Sequence, residues 1–170
     1  MKLEGSCHCG SVSFSATSNA PHPYMNCYCS ICRKLGGGGG YAINIMADYE
    51  SLKIEGESHI GRYQAWMDPQ RSVRSEGFRF FCKECGTALW VWDPRWPEMF
   101  HPNASCIDTP LPKPPERNHI FVELAPEWVT VPQASEVDKV YDFTGKTIDD
   151  IIDSIESLEE WHRNRGLWVD

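Results

Sequence analysis

Seven of the eight cysteines fall into three tight groups, Cys7-x-Cys9, Cys27-x-Cys29-x2-Cys32 and Cys82-x2-Cys85, and Cys106 stands alone. Two or three thiols within six residues are what a soft metal ion needs, because their sulfurs can converge on one point. Zinc is the first choice, and an iron–thiolate centre the second. A disulfide framework is not expected. The N-terminus, MKLEGSCHCG, lacks the apolar stretch of an export signal, and the cytoplasm, the expected compartment, keeps thiols reduced.

Cys7-His8-Cys9-Gly10 and Cys82-Lys83-Glu84-Cys85-Gly86 both end in glycine, which permits the tight turn that presents two sulfurs to one ion. Together Cys7, Cys9, Cys82 and Cys85 supply a closed four-thiolate site of structural type, which would clip the N-terminus onto the middle of a sheet. Cys27, Cys29 and Cys32 remain. Three ligands with a fourth position open is the pattern of a catalytic zinc, and Arg33 and Lys34 beside them would favour thiolates and an anionic substrate. Gly36 to Gly40 would let backbone amides approach a ligand closely. The alternative stays open: Cys106, His101 or His8 could complete a second closed site.

The elements that must hold these groups read as short strands. Val12 and Phe14 alternate with serines. YAINIM (41–46), SLKIEG (51–56), RSVRSE (71–76), FRFF (78–81), TALWVW (87–92), HIFVEL (119–124) and KVYDF (139–143) are β-branched and aromatic runs broken by Gly, Pro, Asp and Asn. Seven of the twelve prolines lie between Pro94 and Pro115, so that segment is expected to be a long ordered loop, either a cover or a connector. Thr147 and Asp150 match a capping box. Ile148, Ile151, Ile152, Ile155, Leu158 and Trp161 then follow the spacing of one apolar helix face, with His162, Arg163 and Arg165 toward its end and Gly166 as a stop. That face is expected to pack on the sheet domain, a homodimer contact being the rival. The expected division is a zinc-binding β domain over 1–145 and a helical extension over 146–170. His22, His59 and His162 are read as solvated, and His119 as a strand-edge or site residue. Trp66, Trp90, Trp92, Trp96 and Trp128 are read as packing.

One domain's worth of core fits 170 residues. Residues 1–146 carry 14 basic and 17 acidic side chains, net −3; residues 147–170 carry 2 and 7, net −5. The overall net charge of −8 argues against nucleic-acid binding, and no apolar run approaches the roughly 20 residues of a membrane span.

Gly5-Ser6-Cys7-His8-Cys9-Gly10-Ser11-Val12-Ser13-Phe14, Cys27-Tyr28-Cys29-Ser30-Ile31-Cys32-Arg33-Lys34 and Phe81-Cys82-Lys83-Glu84-Cys85-Gly86-Thr87 resemble the glutathione-dependent formaldehyde-activating (GFA, or CENP-V/GFA) family. Ile107-Asp108-Thr109-Pro110, His119-Ile120-Phe121-Val122 and Trp128 are similar to its later blocks. The resemblance implies a mainly β fold of small sheets around zinc, the β-tent, here followed by a C-terminal α-helix. It implies two zinc ions, one structural on Cys7, Cys9, Cys82 and Cys85 and one labile and catalytic on Cys27, Cys29 and Cys32. The implied activity is that of a carbon–sulfur lyase joining glutathione and formaldehyde, or a related thiol and aldehyde, into an adduct such as S-(hydroxymethyl)glutathione. The glycine run, the aromatic stretch from Trp90 to Cys106 and the terminal helix depart from the family pattern. A non-enzymatic zinc module for protein contact is the rival function.

Overall fold

A computed structural model describes residues 1–164, without the side chains of 148, 159 and 161–164. Its strands are β1 (Lys2–Ser6), β2 (Ser13–Thr17), β3 (Ala20–Cys27), β4 (Ala42–Asp48), β5 (Lys53–Glu55), β6 (Ile60–Trp66), β7 (Arg74–Cys82), β8 (Ala88–Trp92), β9 (Met99–Pro102), β10 (Arg117–Ile120) and β11 (Asp138–Tyr141). Helix α1 (Ser30–Gly36) joins β3 to β4, and α2 (Ile148–Asn164) follows β11. The chain is mainly β. Strands β1-β2-β5 form an antiparallel sheet of three, and β11-β10-β3-β4-β9-β8-β7-β6 a sheet of eight, parallel only where β10 meets β3 and β11. Among the described residues no helix is long and apolar enough to cross a membrane.

Alternation does the packing. Leu3, Phe14 and Ala16 of the small sheet meet Ile45, Leu89, Trp90 and Phe100 of the large one, all buried, and Phe14 sets its ring edge-on to Trp90 with centroids 5.1 Å apart. A second core gathers Tyr24, Met25, Met46, Met99, Ile120 and Phe143, against which Ile151, Ile155 and Leu158 of α2 pack. The apolar helix face is thus engaged within the chain, as expected. Its start is the capping box: Asp150 N donates to Thr147 Oγ1 at 3.2 Å and Thr147 N to Asp150 Oδ2 at 3.1 Å. Arg165 and Gly166, and the side chains of Trp161, His162 and Arg163, lie outside the described residues.

Strands Lys2–Ser6 and Ile60–Trp66 lie outside every expected run, and four further strand expectations need correction. The Pro-rich segment is not all loop: Met99–Pro102 is a central strand between β4 and β8. Pro94 and Pro97 precede it and Pro102 ends it, so Met99 to His101 keep their amides for the ladder. Ala20–Cys27, which no expected run covers, is also central. Its pairing with β4 jumps from Ala20↔Met46 to Met25↔Asn44, and both prolines sit in that irregular stretch, where no ladder donor is needed. HIFVEL is strand only to Ile120, because Phe121 turns left-handed at φ 59°. RSVRSE becomes strand only at Arg74, since the Asp68 carboxylate takes the amides of Ser72 and Val73 at 2.9 and 2.8 Å into a turn.

Replacing Thr147 by Ala should loosen the first turn of α2 by about 1 kcal/mol. Amide hydrogen exchange there should accelerate while the metal content stays constant; unchanged exchange would remove the capping box from the account of the helix start.

Candidate metal centres and an adjoining cavity

The turns that end β1 and β7 are built alike. Cys7 N donates to Val12 O at 2.9 Å and Gly10 N to Cys7 O at 3.0 Å; Cys82 N donates to Thr87 O at 3.0 Å and Gly86 N to Cys82 O at 2.9 Å. Gly10 and Gly86 have φ of 76° and 75°, and a Cβ at either would touch nothing within 4 Å. Glycine is needed here for its left-handed backbone, not for space. The sulfurs of Cys7, Cys9, Cys82 and Cys85 lie within 4.8 Å of one another, with Cys7–Cys9 at 3.5 Å and Cys9–Cys82 at 3.8 Å. Four sulfurs each about 2.3 Å from one zinc stand about 3.8 Å apart at the corners of a tetrahedron, so this set fits the ion. Thr87 ties the two turns together, accepting from His8 N at 3.1 Å while its hydroxyl meets Cys85 Sγ at 3.1 Å. The Thr87 hydroxyl and amide push the Cys85 thiol down to about 5, whereas burial pushes Cys82 up to about 11. A shared cation would make thiolates of all four. The clip joins the small sheet to the β7–β8 hairpin, one strand in from the edge, not to the middle of the sheet.

Cys27 ends β3, Cys29 caps α1 and Cys32 lies in its first turn; their sulfurs also lie within 4.8 Å of one another. The helix start supplies the spacing, because Cys29 Sγ accepts the Cys32 amide at 3.3 Å. Hydrogen bonds from Cys27 and then Cys32 push Cys29 down to about 3, and the same contacts, with burial, push Cys27 well up. The donor set is all sulfur and suits zinc. Among the described residues no histidine, carboxylate or further cysteine joins it, so His8, His101 and Cys106 are not its fourth ligand. Cys106 is buried in the first core, its thiol on Leu89 O at 3.2 Å, and burial pushes it up to about 12.

Cys32 also lines a cavity of about 330 Å³. Across the large sheet, Tyr63, Arg79, Val91 and His101 are successive cross-strand neighbours on β6, β7, β8 and β9, and all four line it. Register slips between Phe80 and Phe81 opposite β8, and both residues border the cavity. Arg79 Nε is buried without a hydrogen-bond partner, and Nη1 makes one long bond, 3.4 Å to Gly77 O. Leaving a buried donor unpaired costs about 1–3 kcal/mol. Arg33 is half-buried and Lys34 exposed on α1, and neither lines the cavity. Of the glycine run only Gly36 does: a Cβ there would press Asn103 Nδ2 at 2.6 Å, while Gly40, at φ 88°, would collide with Val129.

Sequence reasoning passed over one cluster. Tyr28, between two triad cysteines, is 1% exposed, and its hydroxyl meets His119 Nδ1 at 2.9 Å. His119 Nε2 meets Asp138 Oδ1 at 3.0 Å, and Arg117 forks onto the same carboxylate at 2.8 and 3.0 Å. Parallel pairing of β10 with β3 and β11 makes this chain, which no spacing could reveal. His119 is therefore interior, not at a strand edge. His22 is likewise buried, at 2% exposure, contrary to the solvated reading; half-exposed His59 pairs with Glu84. Trp90 is core and Trp96 donates to Glu156 of α2 at 2.6 Å, but Trp128 is 71% exposed and packs little.

Arg117, then His119, hold the Asp138 carboxyl below its ordinary range. A lowered carboxylate contributes stability above the unfolded pKa of about 3.9 and loses it as pH falls through the folded value. The stability gap between wild type and Asp138→Asn should therefore be full near about pH 7 and shrink below about pH 4 in denaturant titrations. A gap independent of pH would show that this ion cluster carries no such linkage.

Residues 2–124 match the model of a family described as "Glutathione-dependent formaldehyde-activating enzyme". A Halomonas elongata protein named "Putative glutathione-dependent formaldehyde-activating enzyme" is 49% identical over 167 residues, 98% of each chain. A crystal structure of a Rhodobacter sphaeroides protein is similar with a TM-score of 0.50 and 26% identity, covering 64% of this chain and 91% of that one. With the three cysteine blocks in order and folded as two sulfur sets, the chain belongs to the glutathione-dependent formaldehyde-activating family.

Proposed function

We propose that the chain is a zinc-dependent carbon–sulfur lyase that joins glutathione and formaldehyde, or a closely related pair, into an S-(hydroxymethyl) adduct. Cys7, Cys9, Cys82 and Cys85 hold a structural ion, and Cys27, Cys29 and Cys32 hold the ion of the reacting site. The observation that carries this reading is the difference between the two sets: one has four sulfurs, the other three with one of them on a cavity wall. The eight free thiols suit the reduced, glutathione-rich cytoplasm.

The chemistry is an addition without net redox change. The thiol sulfur bonds to the carbonyl carbon, the carbonyl π pair moves to oxygen, and the proton lost from sulfur is regained there. Zinc at the triad would lower the pKa of a thiol and polarise a carbonyl. The chain's own part is positional and electrostatic. The α1 start spaces Cys29 and Cys32. Arg33 and Lys34, on the same helix, favour an anionic ligand near the sulfurs. Phe81 and Val91 wall the cavity with apolar surface, which strengthens every charge interaction inside it.

The two sets should respond differently to loss of one sulfur. Structural zinc contributes about 10 kcal/mol or more of folding free energy, comparable to the whole stability of a domain. Cys82→Ser should therefore unfold the protein. Cys29→Ser should keep its circular dichroism and one zinc per chain by elemental mass spectrometry, and lose adduct formation. Equal unfolding of both variants, or full activity of Cys29→Ser, would sink the assignment.

A further inference from the structure

The cavity beside Cys32 is far larger than a one-carbon aldehyde requires, and its volume of about 330 Å³ falls in the range of small-molecule sites. Its walls are mostly apolar: Leu35, Phe81, Ala88 and Val91 contribute hydrocarbon or ring surface. Within this wall stands one guanidinium. No Asp, Glu or Lys lines the cavity, and the one hydrogen bond of Arg79 goes to Gly77 O, although its charge is felt by Asp93 and by Cys32. Asp93, the acid after β8, is already forked by Arg95 at 2.8 and 2.6 Å. Arg79 is moreover fixed in place by its strand, with Tyr63 on one side and Val91 on the other. A buried Nε without a partner, inside an apolar cavity, is a donor waiting for an acceptor that the chain does not supply.

The charge pattern narrows the ligand. Glutathione carries two carboxylates and an ammonium, which calls for an acid as well as bases; this cavity offers Arg79 and His101 and no carboxylate. A single carboxylate on an apolar, ring-sized body matches both features, its carboxylate forking onto Arg79 and its far end reaching Cys32.

We propose that this cavity binds an apolar monocarboxylate, with Arg79 as the residue that selects the carboxylate, so that the carbonyl substrate is an aldehyde acid larger than formaldehyde. The inference deepens the function proposed above and takes from it that the end at Cys32 is the reacting end. Arg79 itself is a specificity residue: it sets which carbonyl compound is held, and no bond is made or broken at it.

The test uses the zinc-loaded protein and two unreactive probes of equal shape, 4-methylbenzoate and 4-methylbenzamide, with binding followed by calorimetry. The benzoate should bind at least about tenfold more tightly than the amide, the margin of one charge-assisted fork. Arg79→Gln should remove that preference and Arg79→Lys should keep part of it. Ala88→Leu, which fills the cavity while leaving Arg79, should weaken the benzoate about tenfold. Circular dichroism and zinc content confirm that each variant is folded. Equal binding of the two probes by the wild type, or a preference that survives in Arg79→Gln, overturns the proposal. Adduct formation from glutathione with formaldehyde, and with 4-formylbenzoate as an aldehyde acid, is scored separately. Carboxylate selection through Arg79 without any adduct supports the cavity assignment and refutes the proposed reaction, whereas an adduct without carboxylate selection does the reverse.

Discussion

Everything in this fold leans on one meeting of two hairpin turns. The β1–β2 turn belongs to the small sheet and the β7–β8 turn to the large one, and each presents two sulfurs to the same point. No other device in the described residues brings four soft ligands together across the sheets. The first core lies behind this clip, with Leu3 and Phe14 from one sheet against Leu89 and Trp90 from the other. An ion at the clip and the packing behind it would support one another: the ion would hold the two sheets together, and the packed rings keep the sulfurs close to tetrahedral spacing.

The triad is held in a different way. Its three sulfurs come from one short stretch, the end of β3 and the first turn of α1, so no distant segment is needed to assemble them. What distant segments supply is the surroundings. Tyr28, placed between two of the cysteines, is moored through His119 to Asp138, and Arg117 completes the charge balance. A buried polar chain of this kind is stable only when every member has a partner, and it fixes the backbone on which Cys27 and Cys29 sit. On the other side, β6 to β9 bring Tyr63, Arg79, Val91 and His101 into a row facing the cavity. The same protein thus has one sulfur set held between two turns and a second set that borders on space for a ligand.

Much of this was readable before folding, for reasons that can be named. Metal ligation needs short sulfur spacing and tight turns, and both are local, so Cys7-x-Cys9-Gly10 and Cys82-x2-Cys85-Gly86 could be read directly. The capping box at Thr147 and the apolar face of α2 are local too. Strands rich in alternation were visible, whereas Ala20–Cys27 and Met99–Pro102 were hidden because proline usually argues against a central strand. They are tolerated where a bulge or a strand end removes the need for an amide, a circumstance that depends on the neighbouring strand.

The sequence by itself therefore determined the two sulfur sets, the mainly β class and the terminal helix, since each follows from residue types a few positions apart. Only the tertiary structure decided that Arg79 borders a cavity next to Cys32 with its Nε unpartnered, that His119 is interior, and that Arg33 and Lys34 stay off the cavity wall. The physical reason is range. A metal knuckle or a helix cap is closed by bonds within one turn of chain, but a cavity and its charge are the sum of strands distant in sequence, and their register exists only once the sheet has formed.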